Sequence, residues 1–325
     1  MLLACCMAGS DASVICLGEA LVDRLGPPGG DPAVDQPVDD RLGGAPANVA
    51  CALARLGTAV SFAGRLGADP IGAAFDDLFA QRGLDASLLQ HDPQRPTRIV
   101  LVRRAIDGER QFQGFTGDLG LGYADQALEA MRLPPARWLL IGTIPLATSA
   151  SSAALTTAVE QAREQGTAIA LDVNWRPTFW DQAADPAAGP DPAALAAIQP
   201  LLQQAALIKL AREEALWCFA TDDPAAICSA LPQRPDVVVT DGAAPVRWCL
   251  SSETGEQDAF KPAQVVDTTG AGDAFTAGLL HRWDAAPMQR IRFAAACGAL
   301  VCGGAGGIDP QPTQGQVEAF LGSVS

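Results

Sequence analysis

Histidine is nearly missing from this chain: His91 and His281 are the only two among 325 residues. Chemistry that runs on imidazole, whether triad catalysis or a His-ligated metal, is therefore poorly supplied. Cysteine occurs nine times, an odd number, and never as Cys-x-x-Cys. That argues against a disulfide frame and a zinc site, and the scattered thiols read as small core residues of a cytoplasmic protein in a reducing compartment. No apolar run reaches the roughly 20 residues that span a bilayer. Positive charge is short as well. A formal net charge of −15 disfavours nucleic acid and anionic membrane surfaces as partners. No Gly-x4-Gly-Lys-Ser/Thr occurs anywhere, so any nucleotide is held without a Walker loop. There are no internal repeats. The start, Met1-Leu2-Leu3-Ala4-Cys5-Cys6, has no charged n-region and no full apolar stretch. Residues 1–13 read as a flexible tail, with Met1 or Met7 as the true first residue.

What the chain does have is an anion turn. In Asp267-Thr268-Thr269-Gly270-Ala271-Gly272-Asp273-Ala274-Phe275, a short strand candidate (Val265, Val266) leads into a glycine turn. A helix pattern over 274–281 leads out of it. The first-turn N–H groups of a helix have no intrahelical partner and favour negative charge. Gly270, Ala271 and Gly272 would offer those N–H groups to phosphoryl oxygens, with no Cβ on the glycines to keep a phosphate away. Asp273 at the mouth of such a cradle repels phosphate unless it accepts a proton from an attacking hydroxyl. Two other readings stand at this point. Asp273 could simply cap a helix, or the glycines could belong to a dinucleotide fingerprint, although Phe275 stands where the third glycine is expected.

A second run, Gly43-Gly44-Ala45-Pro46-Ala47-Asn48-Val49-Ala50-Cys51-Ala52-Leu53-Ala54-Arg55-Leu56-Gly57, sets a diglycine before a small-residue helix closed by Arg55 and Gly57. Asn48, one turn into an apolar helix, needs a partner, either backbone or ligand. Together the two runs resemble the paired signatures of the ribokinase/PfkB family of sugar kinases, the first being most similar to its fructokinase branch. The resemblance extends from Val14 to the end.

Length and pattern fit the fold that this implies. Apolar strand candidates at 14–18, 138–141, 168–173, 207–210 and 237–240 alternate with helix patterns at 46–56, 72–82, 124–131, 151–165, 192–204 and 213–219. Such alternation means an α/β fold, a doubly covered and mostly parallel sheet. The segment 98–113 differs: Asp107-Gly108 between two alternating runs is a hairpin signal. With residues 23–44, the segment 97–116 resembles the family's small β lid over the sugar. The expectation is one ribokinase-like domain over 14–325. Ile99, Leu101 and Phe112 would form an exposed apolar edge on that lid, a possible homodimer contact.

The resemblance implies an ATP-dependent kinase that phosphorylates a primary hydroxyl of a sugar, fructose first, with Asp273 as base. Alternatives are another sugar, 2-keto-3-deoxygluconate, a nucleoside, or a catalytically silent interaction protein. Asp23, closing Gly18-Glu19-Ala20-Leu21-Val22-Asp23, would accept two sugar hydroxyls; Gly43, Gly44 and Asn48 complete the sugar floor. Arg176, after Asp172-Val173-Asn174-Trp175, could fork onto phosphate or substrate oxygens. Lys209, Thr240 and Gly242 fall on the nucleotide side. Glu214 resembles the glutamate that organises Mg²⁺ through water, although Glu213 and Glu214 also suit a helix's first turn. The segment 301–308, with Val301, Gly304 and Gly306, resembles a loop that surrounds a monovalent cation, K⁺, beside Asp267 and Thr269. Ala211, Pro245 and Ala295 depart from the family's nucleotide motifs, and Phe115-Thr116-Gly117-Asp118 replaces an arginine common after the fructokinase hairpin.

Overall fold

A strand such as Val14-Ile15-Cys16-Leu17, apolar at every position, is stable only where both its faces are covered. In the computed structural model, which describes residues 13–104 and 110–324, it is the centre of a large sheet. The strands are β1 (Val14–Leu17), β2 (Leu21–Leu25), β3 (Asp39–Gly43), β4 (Val60–Gly67), β5 (Leu89–Asp92), β6 (Ile99–Arg104), β7 (Arg110–Thr116), β8 (Trp138–Ile141), β9 (Ala168–Asp172), β10 (Leu207–Ala211), β11 (Asp236–Thr240), β12 (Val246–Leu250) and β13 (Glu253–Gln257). Among the described residues, nine pair in the order β13-β12-β11-β10-β9-β8-β1-β4-β5. All neighbours are parallel except the β11-β12-β13 end, which turns back on itself. Side chains of β1 alternate between two cores. Val14 and Cys16 pack with the helices Ala45–Leu56, Ala271–His281 and Pro287–Val301. Ile15 and Leu17 pack with Ser149–Gln165 and Pro192–Leu202. The doubly covered sheet is as expected. Cys16 and Cys249 on its strands, and Cys51 and Cys297 on the helices that cover it, are free and buried.

After Leu17 the chain leaves this sheet through Gly18-Glu19-Ala20 and enters a second one, ordered β3-β2-β6-β7. These strands occupy the two segments expected to form the small sheet. Its return to the body runs through Gly44 (φ 101°), where a Cβ would come within 2.6 Å of the Glu19 carbonyl. Only glycine fits that crossing. The next residue starts the helix Ala45–Leu56.

Several expectations need correction. Ile99 and Leu101 do not form an exposed edge: β6 is an interior strand, and both are buried, at 9% and 6% exposure. The edge strands are β3 and β7. The helix expected over 124–131 is a single 3₁₀ turn, Ala124–Ala127. Side chains take the backbone groups that a helix would have paired internally: Thr148 Oγ1 donates to the Gln126 carbonyl, and Gln90 accepts from Glu129 N–H. Gln161 bonds both Met131 and Leu133. Val265 and Val266 are not a strand. They are exposed, at 61% and 50%, and Val266 N–H bonds the Cys302 carbonyl at a helix end instead of a sheet neighbour. The expected tail falls almost wholly on residues 1–12, and the Ile106-Asp107-Gly108-Glu109 hairpin turn also lies outside the described residues.

Candidate active site

The carboxyl ends of parallel strands are where open α/β sheets take ligands. Here β9 and β10 open into a cleft of about 560 Å³ roofed by the small sheet. Of the residues expected at a site, Asp23, Gly44, Asn48, Arg176, Lys209, Glu214, Thr240, Thr269, Gly270, Ala271, Gly272 and Asp273 all line it.

The anion turn is built around Gly270. Its φ of 78° makes it the N-cap of the helix Ala271–His281, and a Cβ there would lie 2.6 Å from Gly307 Cα. The helix thus begins three residues earlier than the sequence pattern suggests. Asp273 is therefore its third residue and not its cap. Its Oδ2 accepts a hydrogen bond from Asn48 Nδ2 at 2.7 Å, which answers the question of Asn48's partner. The two signature runs, 225 residues apart, meet in that bond.

Beneath the turn lies Lys209. Register places it beside Asp172 on β9, and its ammonium bonds both Asp172 oxygens at 3.0 and 3.1 Å. Thr276 donates to the same carboxylate at 3.0 Å. A Cβ on Gly272 would stand 3.1 Å from Lys209 Nζ, so the ammonium sits directly under the turn. Burial opposes this charge, but Asp172, Glu214 and Asp273 outweigh it and raise the Lys209 pKa. Burial pushes the Asp273 carboxyl up to about 6; the Asn48 bond pulls the other way, Asp172 adds to the rise, and Lys209 and Arg176 oppose it. A carboxylate with a pKa near 6 is a competent general base at neutral pH.

Glu214 has two backbone partners. Oε1 accepts from Trp175 N–H and Oε2 from Ala211 N–H, both at 2.7 Å, and burial raises its pKa. It reaches past the first turn of its own helix to pin the end of β10 to the segment after β9. Glu214 also lines the cleft, where its carboxylate could contact a hydrated cation. Among the described residues no cluster of three or more His, Cys, Asp or Glu side chains is arranged to hold a metal.

Asp23 lies mid-strand in β2, in register with Arg41 and Val100. Its carboxylate is 3.5 Å from the Cβ position of Gly43, which itself does not line the cleft. Gly242 is exposed and also lies off the cleft wall. Asp267 is buried below the turn: Oδ1 accepts from Thr269 N–H and Oγ1, and Oδ2 from Gly306 N–H at 2.7 Å. Val301 and Gly304 are joined to each other at 3.3 Å and do not line the cleft.

Three features escaped the sequence reading. Glu19 lines the cleft, accepts from Ala45 N–H at 3.1 Å, and is pushed up to about 8, chiefly by burial. Asn174 holds φ 41° at the cleft wall, a conformation that Asn tolerates better than most residues. Arg98 is buried, paired with Asp125 at 2.8 Å and stacked on Phe115, Tyr123 and Phe179 at 4.6 to 5.0 Å. Arg98 stands directly before an apolar run, Ile99-Val100-Leu101-Val102, and nothing in that run signals its burial.

Residues 11–314 match the model of the pfkB family carbohydrate kinases. The chain belongs to that family. It is a sugar phosphotransferase, and its pfkB neighbours agree. A fructokinase of Salmonella typhimurium is 33% identical, over 94% of this chain and 97% of that protein. A fructokinase of Xylella fastidiosa with bound ATP superposes with a TM-score of 0.81 at 28% identity, covering 96% of this chain and 98% of that one. A double mutant of the Vibrio cholerae O395 fructokinase, in a fructose-, ADP- and potassium-bound form, gives 0.79 at 28% identity, covering 95% and 98%. Among the described residues of this pfkB kinase no helix is long and apolar enough to cross a membrane.

If Asp273 must be ionised to accept a proton, kcat/KM falls tenfold per pH unit below about 6. Asn48→Ala removes a bond that favours the carboxylate, so the acid limb should move upward by roughly one pH unit. A limb that stays in place in this variant would show that another group titrates.

Proposed function

We propose that the enzyme transfers the γ-phosphoryl group of ATP to a primary hydroxyl of a furanose-type sugar, with fructose as the first candidate. The observation that carries this reading is Asp273, held by Asn48 at the mouth of a turn whose N–H groups and underlying Lys209 favour an anion. Phosphoryl transfer asks little more of a protein than positioning, charge neutralisation and a base. In this reading Asp23, Gly44 and Asn48 form the sugar side, with Gly43 behind them against Asp23, and Asp273 takes the hydroxyl proton. Gly270, Ala271 and Gly272 face the transferring group, and Lys209, Glu214 and Thr240 lie toward the nucleotide. Gly242 keeps only an indirect part, through the β11 turn. Fructose rests on the fructokinase relatives. A sugar acid such as 2-keto-3-deoxygluconate is the second reading, because the exposed Arg176 guanidinium lines the cleft. ADP release should be measured with fructose, ribose, 2-keto-3-deoxygluconate and a nucleoside. Fructose should give the highest kcat/KM, and Asp273→Asn should lose about 10²–10⁴ of it. A better acceptor elsewhere in the panel replaces fructose; unchanged turnover in Asp273→Asn removes the base.

Mg²⁺ held through water at Glu214 would neutralise phosphate charge, and a K⁺ ion beside Asp267, Thr269 and the 301–308 loop would offset repulsion at the turn. Chelation with EDTA should stop turnover until Mg²⁺ is restored. Potassium chloride should support a higher rate than sodium or tetramethylammonium chloride at matched ionic strength. Equal rates in the three salts would remove the monovalent ion.

The small sheet is proposed as a lid. Val100, Val102 and Phe112 line the cleft from it, so its closure would keep water from the activated phosphoryl group. Sugar should slow amide exchange across 99–104 and 110–116, while ATP alone should hardly change it. Equal protection with and without sugar would mean a fixed wall.

A further inference from the structure

Arg41 has no place in the chemistry above, yet it makes one of the longest-range side-chain bonds in the molecule. It stands on β3, the edge strand of the small sheet, directly across from Asp23 in register. Its guanidinium is gripped by Asp39 at 3.0 and 2.7 Å, which leaves Nη1 to donate to the Ala305 carbonyl at 2.8 Å, 264 residues away. The next residue is Gly306, where a Cβ would stand 3.3 Å from both Cδ and Nη1 of Arg41. Gly306 N–H donates to Asp267 Oδ2, and Asp267 Oδ1 accepts from Thr269 N–H and Oγ1 at the head of the anion turn. Hydrogen bonds, joined through the Ala305–Gly306 peptide, thus run from the small sheet, opposite Asp23, to the turn proposed to face the phosphoryl group.

We propose that Arg41 is a positioning residue that ties the sugar side of the cleft to the phosphoryl turn, so that sugar bound at Asp23 orders the turn through Ala305, Gly306 and Asp267. The inference rests on the sugar-kinase reading for the identity of the two ligands, but not for the strut itself. The geometry suits this role. A guanidinium clamped by Asp39 presents its remaining N–H groups in a fixed direction, so a shift of β3 is carried to Ala305 and not absorbed by side-chain rotation. The loop from 303 to 307 has little room to respond in another way. Gly307 packs between Gly270 and Asn48: a Cβ on Gly270 would stand 2.6 Å from Gly307 Cα, and a Cβ on Gly307 2.8 Å from Asn48 Nδ2. Coupling between sites needs such a physically continuous element with both ends at a site.

The test is amide exchange read residue by residue in the full-length enzyme, with Arg41→Met and Arg41→Lys. Without ligand, Arg41→Met should speed exchange at Gly306 and Thr269 roughly tenfold, the loss expected for one charge-assisted bond, while β9 and β10 stay as in the wild type. Arg41→Lys, which keeps a donor of similar reach, should restore part of the protection. Exchange at Gly306 and Thr269 that is unchanged in Arg41→Met, or a loosening spread evenly over the whole protein, overturns the proposal. With saturating fructose, wild-type protection should rise in β2 and at both Gly306 and Thr269; in Arg41→Met it should rise in β2 alone. Protection confined to β2 in the wild type would also overturn it. If fructose protects no residue of the wild type, the choice of fructose fails, and the ligand-free comparison still decides the role of Arg41.

Discussion

A single buried ammonium governs the electrostatics of this cleft. Lys209 is bonded to Asp172 and is close enough to Glu214 and Asp273 for all three to hold its proton. Taking one of those carboxylates out of water costs several kcal/mol unless a partner compensates, and one cation cannot compensate three. The shortfall appears as raised carboxyl pKa values at Asp273 and Glu214. Backbone N–H groups and Asn48 supply the rest of the stabilisation. The outcome is a carboxyl at Asp273 whose pKa is raised chiefly by burial and further by Asp172, in the first turn of a helix whose N-terminus favours an anion. In the proposed reaction a polyanionic nucleotide would have to approach these carboxylates past the helix N-terminus and Arg176, in a protein with a net charge of −15.

The two sheets divide the work by their construction. The large sheet is covered on both faces, so Asp172 and Lys209 are set on rigid strand ends, and the Gly270 turn caps a helix packed against that sheet. The small sheet is joined to it by the short crossings at Gly18 and Gly44 and by the side chains of Arg98 and Arg41, while Asn48 ties the helix Ala45–Leu56 to the helix Ala271–His281. Arg98 is bolted to Asp125 within an aromatic cage, Asn48 reaches Asp273, and Arg41 reaches Ala305. Each anchor joins residues far apart in sequence. Together they make the cleft one unit, although it is assembled from four distant segments.

Much of this was legible in the residues. Strands apolar at every position, alternating with helical runs, leave little choice but a doubly covered parallel sheet. Helices over 45–56, 70–82 and 149–165 lie close to their expected bounds because their caps are local: Gly57, Gly83 and Gly166 each take the left-handed conformation. The reading failed where tertiary bonds replaced local ones. Residues 124–131 have helical propensity, but Gln90, Thr148 and Gln161 claim their backbone groups. Val265 and Val266 have strand propensity, but Val266 N–H pairs with a helix end. Ile99 and Leu101 alternate like an edge strand, yet β2 and β7 flank them, and pairing order is not encoded in periodicity.

By itself the sequence determined the element types, the doubly covered sheet and the two signature turns, because each depends on residues near one another along the chain. Which residue would hold Asp273, how many acids share Lys209, and that Glu19, Arg98 and Arg41 matter at all were decided only by the tertiary structure. Those properties arise from burial and from contacts across as many as 264 residues. Desolvation and long-range hydrogen bonds belong to the assembled fold, and no local pattern records them.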